Sequence, residues 1–329
     1  MTPEPPEPPR PADPTGPARF AVYLRERFPL HAHGPLIAAF AFCAVSVSSV
    51  LRQRAADPAA PLAWTQFPGA AAVGVAFVVC LAMFLQLRIA DEFKDAEEDA
   101  AFRPDRPVPR GLVTLRELGA GFVLAGAAQL AAAVWLDARL GWLLLVAWAY
   151  LALMSREFFA GRFLRGRPVL YLLSHMGIMP LVDLFAAGCD WVPAEGAPPP
   201  GLGPFLLASF CNGVVIEVGR KLRVPAAERP GVPTYSALWG RRGGLLAWGL
   251  ALAATAAAAI WTAALLGVPW VVAGALTAVG AAILAAGRAY LRSEEPAAGK
   301  RLELLSGVWT LALYLSLGLG PWAVAWLGG

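Results

Sequence analysis

Residues 69–110 read GAAAVGVAFVVCLAMFLQLRIADEFKDAEEDAAFRPDRPVPR. From Gly69 through Leu87 there is no charged side chain. A helix needs about 20 mostly apolar residues to cross the hydrocarbon core of a bilayer, and this run has that length. The second half then reverses character. Asp91, Glu92, Asp95, Glu97, Glu98 and Asp99 follow within a few residues, and Arg103, Arg106 and Arg110 come next, between prolines. An apolar span that ends in such a cluster predicts polar chemistry at a membrane surface.

The remainder of the chain repeats the apolar half of that pattern. Of 329 residues, 58% are hydrophobic and 15% charged, and the mean hydropathy is +0.57. A soluble protein of this length has no way to cover so much apolar surface, so the composition predicts an all-α, multi-spanning membrane protein. Nine spans are expected, near 34–51, 69–90, 114–136, 140–155, 168–187, 202–219, 243–266, 268–287 and 304–327. The basic residues test this count. Assigned to their nearest connections, 24 of the 27 Lys and Arg fall on alternate segments and 3 on the others. The positive-inside rule then places the N-terminus and the loops after the second, fourth, sixth and eighth spans in the cytoplasm, as expected for a multi-pass protein of the inner (cytoplasmic) membrane.

Three regions divide the chain. Residues 1–17 contain eight prolines and are expected to form a disordered tail rather than a signal peptide. Residues 18–33 suit an amphipathic segment on the membrane surface, and 34–329 form the membrane domain. The net charge of +4 is small beside the many acidic groups, which argues against a nucleic-acid partner. Cys43, Cys80, Cys189 and Cys211 have no metal-ligand spacing and read as apolar fillers.

On a helix, Asp91, Asp95 and Asp99 fall within ~80° of rotation, and Glu92 shares their stripe. Like charges at this spacing destabilise a helix, and a divalent cation would relieve them. Mg²⁺ suits the role because it takes carboxylate oxygens and completes its shell with water and substrate phosphates. Arg103 and Arg106 project from a loop stiffened by Pro104, Pro107 and Pro109, and guanidinium groups grip phosphate in bidentate fashion. Metal-binding carboxylates beside phosphate-binding arginines point to a diphosphate site.

The segment Asp91-Glu92-Phe93-Lys94-Asp95-Ala96-Glu97-Glu98-Asp99 resembles the NDxxDxxxD motif of the UbiA-type membrane prenyltransferase superfamily. The following RPDRPVPRG resembles that family's next loop. The resemblance implies a nine-helix bundle around a lipid-open cavity. It also implies Mg²⁺-assisted ionisation of an isoprenyl diphosphate and capture of the cation by a lipophilic or aromatic acceptor. Asp91, Glu92, Asp95 and Asp99 would hold the metal, and Lys94, Arg103 and Arg106 the diphosphate. Tyr150 matches a family Tyr, while Met154 stands where a Lys is expected.

The family's second acidic motif, DxxxD after the sixth span, is altered here. Glu217 and Lys221 occupy its frame, with Arg220 between them. One reading keeps Glu217 as a metal ligand and uses Arg220 and Lys221 to neutralise diphosphate. Two others are loss of ionisation and a plain Glu–Lys helix pair. The fifth span carries His175 and Asp183. Ionisable groups at membrane depth usually face a cavity or a partner, so either is expected to line the cavity wall and take the acceptor's proton. Two rival functions fit the same residues: a terpene cyclase on this scaffold, and a transporter or permease without chemistry.

Overall fold

The computed structural model describes residues 13–228 and 232–328, and these are helical throughout with no strands. Two helices precede the first charge cluster: α1 (Ala18–Arg27) and the long α2 (Leu30–Ala56). The quoted stretch becomes α3 (Ala70–Lys94) and the short α4 (Ala96–Phe102). After the Pro-rich loop come α5 (Leu115–Leu136) and α6 (Leu140–Ser155). A small α7 (Gly161–Arg165) leads into α8 (Pro168–Met176) and α9 (Ile178–Ala194). The last four helices are α10 (Leu202–Gly219), α11 (Tyr235–Leu266), α12 (Pro269–Arg292) and α13 (Pro296–Gly328).

Among the described residues, eight helical stretches are long and apolar enough to cross a membrane. The expected fourth span coincides with α6, which has 16 residues and is shorter than those eight. At 1.5 Å per residue α6 spans about 24 Å. The expected fifth span is broken into α8 and α9 at Gly177. A Cβ there would meet the Tyr150 phenol oxygen at 2.1 Å, so only glycine lets α6 approach this closely. Of the Pro-rich tail, residues 1–12 lie outside the described residues, and Asp13 pairs with Arg110. The amphipathic segment expected over 18–33 contains α1 and the start of α2.

The helices pack in chain order around a ring. Successive contacts run from α2 through α3, α5, α6, α9, α10, α11 and α12 to α13, which returns to α2. The α2 helix also packs on α9, α10 and α11, across the ring. Such a helix is surrounded by protein, so it reads as apolar on all sides. Its CAVSVSS stretch is buried, and small residues there let backbones approach closely. A Cβ on Gly318 of α13 would lie 2.9 Å from the Cys43 Cα. Its hydroxyls also find partners. Ser46 donates to the Gly318 carbonyl at 2.7 Å and accepts from the Trp322 indole at 2.8 Å.

Two sequence features anchor the end that carries the charges. Thr114 and Glu117 form a reciprocal capping box at the start of α5, which terminates the Pro-rich loop at a fixed point. Thr234 caps α11 by accepting from the Ala237 amide.

Candidate active site at the charged end of the bundle

The acidic stretch does not form one continuous stripe. The α3 helix stops at Lys94, and Asp95, with φ −96° and ψ 9°, joins it to α4. That non-helical residue breaks the periodicity on which the shared face rested. The four carboxylates part into two groups with different surroundings.

Glu92 and Asp99 point into protein, each 2% exposed. Glu92 accepts from Arg27 of α1 at 2.6 Å and lies 3.5 Å from Arg88. Asp99 accepts from Arg103 at 2.7 Å and from Arg106. In this structure Glu92 is matched by the guanidinium groups of Arg27 and Arg88, and Asp99 by those of Arg103 and Arg106. The reason is proximity: the Pro-stiffened loop brings its own cations back over α4, and buried carboxylates take the nearest counter-ions. Arg110 is likewise paired with Asp13 and Glu26.

Asp91 and Asp95 are different. The closest cation to Asp91 is Arg88, at 3.5 Å, with half of the Asp91 side chain exposed. No ion pair within 4.0 Å holds Asp95 among the described residues. Burial, and then the neighbouring charge of Asp91, push its carboxyl above the usual carboxylate range, with Lys94 pulling the other way. Two carboxylates on successive turns, one without an ion pair and one half exposed beside Arg88, form a site of concentrated negative charge.

The opposite wall carries positive charge. Glu217, near the end of α10, is gripped by Arg220 at 2.6 Å and Lys221 at 2.8 Å. Burial opposes the charge on Arg220. Glu217 more than offsets it and Asp91 adds to the effect, so the guanidinium is held above its ordinary range. Glu217, with both neighbours on it, has the geometry of a helix pair rather than of a free ligand. Among the described residues, no three His, Cys, Asp or Glu side chains converge as a ready-made metal centre.

Between the walls sits a cluster that sequence reasoning only partly found. Lys94 donates to the Tyr171 hydroxyl, stands over the Tyr171 ring, and lies 3.9 Å from Glu157. Tyr171 stacks on His175 with centroids 3.9 Å apart. The His175 Nδ1 meets the Tyr171 carbonyl at 2.8 Å. A carbonyl only accepts, so Nδ1 carries the hydrogen and Nε2 keeps its lone pair. That Nε2 is buried and has no hydrogen-bond partner among the described residues. Tyr171 gave no sequence signal beyond an i, i+4 relation to His175.

Asp183 lies apart from this cluster. It is fully buried in the core, where Tyr314 of α13 donates to it at 3.1 Å. The break at Gly177 separates the two residues into α8 and α9, and the bundle supplies hydroxyl partners at that depth.

Solved structures share this architecture. The chain is similar to the apo structure of a UbiA homolog from Aeropyrum pernix K1, with a TM-score of 0.62 and 16% identity, over 87% of this chain and 97% of that one. It is also similar to a digeranylgeranylglyceryl phosphate synthase studied in membranes, with a TM-score of 0.55 and 14% identity, over 91% and 99% of the two chains. A comparison with curated protein sequences finds no match. The sequence profile of the UbiA prenyltransferase family matches residues 55–308, a stretch that includes both charged walls and the cluster between them. This protein belongs to the UbiA prenyltransferase family.

Proposed function

We propose that the chain transfers an isoprenyl group from an isoprenyl diphosphate to a lipophilic or aromatic acceptor, with Mg²⁺, at the charged end of the bundle. The observation that carries this reading is the pairing of half-exposed Asp91 and ion-pair-free Asp95 on one side of the charged end with the cations Arg220 and Lys221, clustered on Glu217, on the other. A diphosphate needs both a metal and direct cationic contacts. Mg²⁺ is commonly held by one or two carboxylates plus substrate phosphates, and Asp91 and Asp95 fit that donor set. When bound, the metal supplies positive charge for the departing diphosphate.

The chain's own residues do the rest. Arg220 and Lys221 orient the diphosphate, and Lys94 is close enough to Asp91 and Asp95 to reach the same group. The allylic C–O bond breaks, and its electron pair leaves with the diphosphate. The acceptor attacks the resulting cation and then loses a proton. We assign that proton to His175 Nε2, a reading supported by its lack of a partner and by the tautomer that the Tyr171 carbonyl sets. The apolar helix faces below the charged end exclude water from the cation. By the positive-inside rule this end faces the cytoplasm.

The test is incubation of purified full-length protein with Mg²⁺ and isoprenyl diphosphates of graded chain length, following diphosphate release. No release with any donor overturns the reading. Release of a cyclised hydrocarbon, with no acceptor added, would reassign the chain as a cyclase.

A further inference from the structure

The connection between α6 and α8 has a feature that the active site does not use. Glu157, Phe158 and Phe159 all adopt positive φ, at 49°, 54° and 56°. Three consecutive left-handed residues, none of them glycine, are costly and persist only where surrounding contacts fix them. The contacts here are visible. Glu157 is held by Arg165 at 3.1 Å and lies 3.9 Å from Lys94, and Phe158 turns inward against Tyr150 and His175. The turn consequently throws Phe159 outward, where it is 80% exposed.

Next to it, Phe163 is half exposed, and the Arg167 guanidinium lies 3.9 Å over its ring. Arg156, Phe159, Arg162, Phe163 and Arg165 line an open concavity of about 610 Å³. Arg165 is paired with Glu157. Arg156 and Arg162 are exposed and have no ion-pair or side-chain hydrogen-bond partner among the described residues. The concavity lies on the outer side of the loop whose inner side meets Lys94. It sits between the end of α6 and the start of α8, at the end of the bundle that carries the charges.

We propose that the 156–167 loop is a binding site for the phosphate headgroup of an anionic membrane lipid, with Arg156 and Arg162 on the phosphate and Phe159 and Phe163 in the acyl boundary. Charge complementarity selects the ligand's sign. The paired exposed rings select a lipid over a soluble anion, because rings presented to water beside a free phosphate would gain nothing. Exposed Phe side chains flanked by basic residues insert at the boundary of headgroups and acyl chains, and basic side chains near an anionic leaflet gain about fivefold in affinity each. Because Glu157 belongs both to this turn and to the Lys94 cluster, the bound lipid would also steady the turn that flanks the active site.

The test uses the full chain reconstituted in phosphatidylcholine containing phosphatidylglycerol, extracted in mild detergent, with retained lipids quantified by mass spectrometry. The wild type should retain phosphatidylglycerol in excess over its share of the bilayer. Arg156→Gln with Arg162→Gln should lower that enrichment about tenfold or more, and Phe159→Ser with Phe163→Ser should lower it too. These four side chains are solvent- or lipid-facing or half exposed, and circular dichroism should show unchanged helix content. Arg288→Gln with Arg292→Gln is the control. These exposed arginines lie at the same end of the bundle, on α12, away from the concavity, and should leave enrichment unchanged. Equal losses in the loop and control variants would overturn the site in favour of general surface charge. No enrichment in the wild type would overturn it outright. Displacement of phosphatidylglycerol by millimolar inorganic phosphate would overturn the lipid as its ligand.

Discussion

Asp95 and Asp99 stand four residues apart in one acidic run, yet their surroundings have opposite electrostatic signs. Asp99 is buried beneath Arg103 and Arg106. Asp95 faces Asp91 and is raised above the usual carboxylate range by burial and by that neighbour. A similar division separates Glu92, buried and bonded to Arg27, from Asp91, half exposed with Arg88 at 3.5 Å. A motif that reads as four equivalent ligands is two devices. One ties α1, α4 and the Pro-rich loop to α3. The other leaves negative charge less fully matched, which suits the proposed metal-binding role. Unmatched charge lowers stability until a ligand arrives, whereas matched charge does not.

The largest effect expected from this contrast is catalytic. Asp91→Ala or Asp95→Ala should lower diphosphate release by about a hundredfold or more, equivalent to about 3 kcal/mol of transition-state stabilisation. The helical content should be unchanged by circular dichroism. Near-normal turnover in either variant would remove the assignment.

Stability should move the other way for the paired group. Asp99→Ala leaves two partly buried guanidinium groups without their partner, and Glu92→Ala does the same for Arg27. Each should cost about 2–3 kcal/mol, below the full penalty of a buried pair because the arginines keep some exposure. Asp95→Asn should raise the unfolding temperature of the metal-free protein even while it abolishes activity. The sign follows from linkage: a folded-state pKa above the unfolded value contributes stability below the unfolded pKa, and this is lost as pH rises through the folded pKa. At neutral pH the wild type lacks that contribution, and the neutral Asn no longer repels Asp91. A thermal scan showing Asp95→Asn less stable than Asp99→Asn would collapse the distinction between the two groups.

Added Mg²⁺ should raise the unfolding temperature of the wild type by mass action, since it binds only the folded chain. The increase should persist in Glu92→Gln and vanish in Asp91→Asn. A Mg²⁺ response that survives Asp91→Asn would move the metal elsewhere.

The smallest effects concern the second wall. If Lys221 neutralises diphosphate, Lys221→Asp should raise the KM for isoprenyl diphosphate by about tenfold, the worth of one charged hydrogen bond. Lys221→Arg should change it less, because charge is kept while point-charge geometry is not. If Glu217 and Lys221 are only a helix pair, both variants should stay within ~0.5 kcal/mol of the wild type. Higher Mg²⁺-dependent activity in Lys221→Asp would mean that this wall acts through metal after all.

Composition and the alternation of basic loops determined that this is an all-helical membrane protein, because bilayer thickness and the cost of burying charge act on any chain in the same way. The run from Asp91 to Arg110 likewise marked which end of the bundle carries the polar groups, since such charges have no place in hydrocarbon. Sequence reading also singled out Asp91, Asp95, Glu217 and Lys221 at that end, and His175 within the fifth span. Partner choice was decided only in three dimensions. Helical periodicity put Asp99 on the face of Asp91, but one non-helical residue at Asp95 and a proline-stiffened loop returned it to Arg103 and Arg106. Spacing likewise placed Asp183 near His175, and the break at Gly177 left it in the core with Tyr314. Tyr171 joined Lys94 through a contact across 77 residues of chain, and the left-handed turn at Glu157–Phe159 carries none of the glycine that normally signals one. A carboxylate's role depends on which counter-ion reaches it first, and that is set by how distant segments pack.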